Sequence, residues 1–319
     1  LILNGRLGYM KTVHDGIILT DKCEGESSSD VIRKMKRAFG QGKSLKIGHA
    51  GTLDPFATGL LIILLGQGTK LSRYVMAGKK AYDATLELGI ETDTLDPTGK
   101  VVQKSVVSHL SDQTILEKAS RFVGDIRQTP PAYSAVKHNG IRSYKLARKG
   151  HKVELKERPV TVHSLDIVSV DLPLITLHIE CSSGTYIRSI AADLGKELGP
   201  GAHLKSLRRT GVGTFLVDNA FPSREISGKE IGSLLTAGTI ALSEAIPDMQ
   251  KADIPASLAG KVRNGYCPKW DELGISSVDG DCHNEWLKLV NDGNLVAVLR
   301  IHQRGGNKNG DIGIERVFS

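Results

Sequence analysis

Residues Gly48 to Gly59, GHAGTLDPFATG, run straight into an apolar stretch, Leu60 to Leu65, that Gly66 closes. An apolar run this short, bounded by glycine, reads as a buried strand. A loop rich in glycine and threonine that leans on such a strand is where a rigid scaffold displays a working side chain. The only charged side chain in the loop is Asp54, with Pro55 on its C-terminal side. Proline has a fixed φ and biases the residue before it towards extended geometry, so Asp54 has little freedom. Gly48, Gly51 and Gly59 leave room for a second backbone or a ligand to come close. Taken alone, an aspartate in an L-D-P turn is more often a local cap than a working acid.

Length and charge bound the alternatives. At 319 residues the chain has room for a sizeable core and two domains. No apolar run is long enough to cross a bilayer, and the first residues lack the apolar region and cleavage site of a signal peptide. Residues 1–14 read as a flexible lead-in. Lys and Arg outnumber Asp and Glu by 42 to 35, a balance that suits a polyanionic partner without requiring one. The cysteines, Cys23, Cys181, Cys267 and Cys282, form no C-x-x-C pair, so reduced thiols in a cytoplasmic protein are expected. Cys282-His283 lacks a second ligand pair, and no metal is expected.

Along the chain, Asp15 to Lys22 has a strand core. Val31, Ile32, Met35, Ala38 and Phe39 then recur at helical spacing, with Ser29 or Asp30 placed to cap the start and Arg33, Lys34, Lys36 and Arg37 on the other face. Gly40-Gln41-Gly42-Lys43-Ser44 imitates a phosphate loop, but Arg37 stands where the first glycine is needed; a basic turn is expected and no nucleotide. Gly68 to Ala77 reads as a helix start with Lys70 and Arg73 exposed. Ala81 to Gly89 alternates as a half-buried strand, with Tyr82, Ala84, Leu86 and Leu88 on one side. A turn-rich connection, ETDTLDPTGKV, follows, and then a helix over Ser111 to Val123 ended by Gly124.

The prolines of QTPPAYSAVK, Gln128 to Lys137, predict a rigid extended segment. Beyond it the chain turns densely basic: Lys137, Arg142, Lys145, Arg148 and others to Arg158, interleaved with Tyr133 and Tyr144. That mixture suits phosphate contacts plus base stacking, or equally a solvated helix face ending at Gly150. Two strands, Pro159 to Val170 and Leu174 to Cys181, lead into a glycine turn and a helix with Ile187, Ile190, Ala191 and Leu194 inward. LKSLRR, Leu204 to Arg209, reads as a basic patch, TGVGTF as a short strand, and Ile226 to Ile246 as a surface helix. Past a boundary near Pro247 to Ala256, short strands (Glu285 to Val290, Leu295 to Ile301) flank an Asn291-Asp292-Gly293-Asn294 turn. The GGNKNG insert reads as loop.

KIGHAGTLDPFATGLL closely resembles the catalytic motif of the TruB-type pseudouridine synthases. P-P-x-Y-S-A-x-K (Pro130 to Lys137), Y-x-x-A-R-x-G (Tyr144 to Gly150) and Gly184-Thr185-Tyr186-Ile187-Arg188 also match that family. One motif departs from it. The family's D-K-P-x-G-x-T-S is Asp21-Lys22-Cys23-Glu24-Gly25-Glu26-Ser27-Ser28 here, keeping Asp21, Lys22, Gly25 and Ser28. The likeness covers Asp15 to Phe221 well and the tail in outline.

The resemblance implies an α+β pseudouridine synthase fold, a mixed and mostly antiparallel central sheet flanked by helices, over 15–246. It implies a tRNA-binding insertion at about 125–158 and a small PUA-like RNA-binding β-barrel over 250–319. The implied activity converts uridine 55 of the tRNA T-loop to pseudouridine. No cofactor, no membrane and no protein partner is needed, the T-arm of tRNA is the partner, and a monomer is expected. By resemblance Asp54 is the essential acid, Arg188 its partner and Tyr82 the stacking ring. His49, Lys70, Tyr186 and Leu207 would hold the extruded nucleotide, with Lys137, Arg142, Lys145, Arg148 and Arg208 on the RNA path. A guide-RNA-dependent rRNA synthase and a non-catalytic RNA-binding or RNA-folding protein remain as alternatives.

Overall fold

The computed structural model describes residues 15–39, 45–107, 110–138, 140–151, 153, 155–227, 237–275, 286–302 and 311–319. The lead-in, the Gly40–Ser44 turn, Cys282, His283, the GGNKNG insert and much of the helix expected over 226–246 lie outside them.

The central sheet is built around β3 (Thr58–Leu65), the apolar run of the opening motif. Its register with β1 (Gly16–Lys22) is antiparallel along the full length of β1, from Gly16 opposite Leu65 to Lys22 opposite Gly59. On the other side β2 (Ile47–Ala50) covers its C-terminal half, and β12 (Ala202–Val212) joins in parallel at Thr58 and Gly59. Beyond β12 the sheet continues antiparallel through β4 (Lys80–Leu88), β11 (Leu174–Cys181), β10 (Arg158–Asp171) and β7 (Gly124–Gln128). The short strands β14 (Phe221–Pro222) and β13 (Phe215–Leu216) add to β1 and β12. Strands β5 (Ile90–Thr92) and β6 (Val101–Lys104) form a separate hairpin, as do β8 (Lys137–His138) and β9 (Ile141–Arg142). The sheet is mixed and mostly antiparallel, as expected.

Because side chains alternate along a strand, β3 feeds two cores. Leu61, Ile63 and Leu65 meet α1 (Ser28–Ala38) through Val31 and Met35 and α5 (Ile187–Leu198) through Ile190 and Leu194. Leu60, Ile62 and Leu64 meet Leu71, Val75 of α2 (Ser72–Ala77), and Leu295, Val298 and Phe318 of the C-terminal strands. Both faces of β3 are therefore covered, which explains the unbroken apolar run. Helix α3 (Asp112–Ser120) closes the first core with Ile115 and Ala119, and α4 (Ser143–Ala147) lies in the basic segment.

Four expectations need correction. Helix α1 is capped by Ser27, not Ser29 or Asp30. The Ser27 Oγ accepts from the Asp30 amide (3.2 Å) while Asp30 accepts from the Ser27 amide (2.9 Å), a reciprocal box that needs the extended backbone of Ser27 (φ −78°, ψ 155°), whereas Ser29 and Asp30 are already helical. Residues 240–246 are turns rather than helix, since Ile240 pairs as an isolated bridge with Ile17 on the edge of β1. The LKSLRR patch is part of β12, and Arg209 is 1% exposed. Finally, β15 (Gln250–Asp253), β16 (Trp286–Asn291), β17 (Asn294–His302) and β18 (Asp311–Val317) form an open sheet in that order. Among the described residues they do not close into a barrel. Helix α6 (Ala256–Arg263) packs on one face of this sheet, and the buried Lys288 reaches the Ser243 and Ile246 carbonyls (2.9 Å each).

Candidate active site

Asp54 sits in the loop between β2 and β3, and the loop is held from three directions. The Ser28 hydroxyl accepts from the Leu53 amide (3.0 Å) and donates to the Leu53 carbonyl (3.1 Å). The Gly25 amide and the Lys22 ammonium both reach the Pro55 carbonyl, at 2.8 and 3.3 Å. At the start of β3, Gly59 has φ +101° and lies against the backbone of Arg209, where a Cβ would collide with main-chain atoms. The motif that departs from the family pattern thus keeps the three residues that brace the acid: Lys22, Gly25 and Ser28. Its altered positions have other duties, Cys23 bonding Ser223 through its amide (2.9 Å) and Ser27 capping α1.

Arg188 arrives from the first turn of α5. That turn is fixed by the Gln128 side chain, whose amide donates to the Tyr186 carbonyl (3.0 Å) and accepts from the Tyr186 amide (2.8 Å). The guanidinium is 4% exposed. Its Nε meets Asp54 Oδ2 at 3.0 Å, Nη1 donates to the Thr94 carbonyl (2.9 Å) and lies 3.2 Å from Asp96 Oδ2, and Nη2 donates to the Tyr133 carbonyl (2.9 Å). One cation therefore joins three segments distant in sequence, and its fork geometry is what allows it.

Asp96 falls in a stretch whose sequence suggests only a turn. Its Oδ1 is held by the Thr94 hydroxyl (2.6 Å), the Thr98 hydroxyl (2.6 Å) and the Thr98 amide (3.0 Å), which leaves Oδ2 for Arg188. A signal was present: Leu95-Asp96-Pro97 repeats the tripeptide Leu53-Asp54-Pro55. Burial raises the Asp54 carboxyl above the usual range, Arg188 opposes that shift, Asp96 adds to it and Lys22 opposes it. Asp54 nevertheless keeps 37% of its side chain exposed to the pocket it borders.

That pocket has a volume of about 340 Å³. Tyr82 of β4, 7% exposed, forms one wall. Burial lifts its phenol above the ordinary value, and the positive charge of Arg209 opposes that shift. Arg209 is itself anchored, Nε to the Leu60 carbonyl (2.7 Å) and Nη2 to the Gly51 carbonyl (3.1 Å). Tyr186 and Leu207 also line the pocket, together with Met76, Lys80 and Ser134. Lys80 donates to the Met76 and Gly78 carbonyls (2.6 Å each) at the end of α2, and burial lowers its ammonium to about 8.

Other expected residues lie elsewhere. His49 sits half-buried on β2, its Nδ1 unpartnered among the described residues, outside the pocket lining; burial and then Arg209 lower its pKa. Lys70 is exposed and ties down the C-terminal end, donating to Gln67 Oε1 (3.0 Å) and the Val317 carbonyl (2.9 Å) over the Phe318 ring. It is a strap between the two sheets and does not border the pocket. Arg208 makes a two-point ion pair with Asp21 (3.0 and 2.7 Å). Arg142, Lys145 and Arg148 are exposed around α4, and Lys137 lies on β8 opposite Arg142. Among the described residues, no helix is long and apolar enough to cross a membrane.

Comparison with known proteins agrees with this geometry. The model of the TruB family pseudouridylate synthase N-terminal domain matches residues 36–187, and that of the tRNA pseudouridylate synthase B C-terminal domain matches 188–228. The chain is 41% identical over 289 residues to the tRNA pseudouridine synthase B of Geobacter sulfurreducens, covering 89% of this chain and 92% of that one. To the enzyme of that name from Haemophilus influenzae it is 45% identical over 212 residues, 66% of this chain and 67% of the other. Among solved structures, a Cbf5-Nop10-Gar1 complex contains a chain of like fold (TM-score 0.71, 22% identity, 96% of this chain and 86% of that one). The braced aspartate, its buried arginine and these relatives together establish that the chain belongs to the TruB family of pseudouridylate synthases.

Proposed function

We propose that this protein isomerises uridine 55 of the tRNA T-loop to pseudouridine, acting alone and without a cofactor. The observation that carries the reading is the 3.0 Å pairing of Asp54 with a buried Arg188 beside a tyrosine-walled pocket. The reaction breaks the N1–C1′ bond, turns the freed uracil and joins C5 to C1′; C5 gives up its proton and N1 takes one up, so nothing is oxidised and no water is consumed. Asp54 supplies the carboxylate, either as nucleophile or as stabiliser of developing positive charge. Arg188 keeps it ionised despite its partial burial. The target nucleotide must leave its stack to reach the acid, and Tyr82 and Leu207 give it an aromatic and an aliphatic surface. Tyr186 stands ready to move the C5 proton. Arg142, Lys145 and Arg148 are suited to phosphate contacts along the T-arm. The C-terminal sheet serves as a PUA-like accessory module in a protein that works in the cytoplasm.

Incubating the pure protein in EDTA with an unmodified T-arm hairpin, then mapping pseudouridine, tests this reading. Conversion at the T-loop uridine supports it. Turnover only after a guide RNA is supplied would point to the guided alternative, and binding without conversion to an RNA-binding role.

A further inference from the structure

The lining of the pocket carries a polar group with no hydrogen-bond partner among the described residues. Ser134 is 5% exposed, borders the pocket, and its Oγ is buried without a hydrogen-bond partner. Buried hydroxyls are normally bonded, and its neighbours follow that rule. Ser143 gives its Oγ to the Val136 carbonyl (3.3 Å) and Ser189 to the Thr129 carbonyl (2.9 Å). The buried cations around the pocket are engaged too: Arg188 and Arg209 bond backbone carbonyls, and Lys80 holds the end of α2. Ser134 differs from all of these.

Its backbone is pinned on both sides. The Tyr133 carbonyl accepts from Arg188 (2.9 Å), and the Ser134 carbonyl accepts from the Tyr144 amide (3.1 Å). A hydroxyl mounted on so fixed a backbone cannot follow a group that rotates. During the proposed isomerisation the uracil turns while the sugar and its phosphates stay in place.

We propose that Ser134 is a substrate-contacting residue whose Oγ hydrogen-bonds a ribose or phosphate oxygen of the extruded nucleotide. The proposal rests on the pseudouridine synthase reading. The bond joins the nucleotide to the segment that carries Arg142, Lys145 and Arg148, and to the residue next to the carbonyl that Arg188 grips. Occupation of the pocket and docking of the basic segment thereby favour one another.

The test is Ser134→Ala, with Ser134→Cys as a weaker donor of similar size, assayed on the T-arm hairpin. kcat/KM falls roughly five- to tenfold in the alanine variant, mostly through KM, and less in the cysteine variant. The melting temperature of the free protein stays the same or rises, because no bond within the protein is removed. Unchanged kcat/KM, or a loss that tracks a falling melting temperature, would overturn the proposal. A hairpin with 2′-deoxyuridine at the target separates the two oxygen sources in a binding assay. If the 2′-hydroxyl is the partner, the deoxy hairpin binds wild type only as well as it binds the variant; if a phosphate is, the two losses multiply. A wild-type protein that makes no pseudouridine sinks the functional reading along with this one. Conversion by wild type and variant at equal efficiency removes Ser134 alone.

Discussion

The two sides of the pocket are built by opposite means. On the floor, Asp54 hangs from a loop braced by Ser28, Gly25 and Lys22, and β3 behind it is buried on both faces. On the facing side, the basic segment has the hairpin β8–β9 and the single short helix α4, with Arg142, Lys145 and Arg148 exposed. Segments with few buried apolar contacts open most readily. The floor holds its charge in a prearranged field, as a catalytic group needs. The basic side is left able to adapt to a large ligand. Arg188 belongs to both, gripping Asp54 with one nitrogen and the Tyr133 carbonyl with another. On the function proposed above, chemistry and RNA docking would be separable except at that residue.

The harshest way to break this contrast is Asp54→Asn. Turnover falls at least ~10⁴-fold, while affinity for the T-arm hairpin stays within a few-fold, as a filter-binding titration would read. Its stability has a definite sign. Burial raises the folded carboxyl above its unfolded value, so the fold binds that proton more tightly and stability declines as pH climbs between the two values. Asn removes that decline, and the variant melts no lower than wild type at neutral pH. A variant that loses binding and stability together would make Asp54 a structural residue.

Arg188→Gln comes next. One donor to the reacting acid disappears, which costs kcat about 10²–10³-fold. In the wild type the rate rises with pH as the raised Asp54 carboxyl ionises. Without the guanidinium the opposing influence is gone, and the limb of the pH–rate profile moves to higher pH. An unmoved limb would separate Arg188 from the ionisation of Asp54.

Reversing charge at Arg142 and Lys145 probes the adaptable side. The Kd of the hairpin rises about tenfold, and the slope of log K against log salt flattens by about 0.9 for each duplex phosphate that is no longer neutralised. At saturating RNA kcat changes little. An unaltered salt slope would take this face off the RNA path.

Lys70→Met should do least. Its bonds are to Gln67 and the Val317 carbonyl at an exposed site, so the melting temperature falls by an amount equivalent to less than ~1 kcal/mol. kcat and KM are unchanged. A large rise in KM would return Lys70 to the substrate side.

Legibility followed the range of the forces. The strand Leu60 to Leu65, the half-buried strand with Tyr82, and the turn that launches Arg188 are readable because apolar period, proline and glycine act within a few residues. The surface helix over 226–246 fails at Ile240, where a sheet edge claims the backbone. Lys70 is a nucleotide-binding residue only by the family resemblance, and the segment over Val317 and Phe318 captures it. LKSLRR reads as a basic patch, but β12 turns Arg209 inward onto the Leu60 and Gly51 carbonyls.

By itself the sequence determined that an aspartate would be displayed, nearly immobile, at the mouth of a doubly buried strand. Local dihedral limits and hydrophobic burial suffice for that. Only the tertiary structure decided which groups face it. Asp96, Tyr133 and Ser134 lie 42, 79 and 80 residues from Asp54 in the chain, and a buried guanidinium gathers whichever oxygens the closed sheet brings within hydrogen-bonding reach. Two L-D-P turns are alike as strings; chain closure makes one the exposed acid and the other the support behind its arginine.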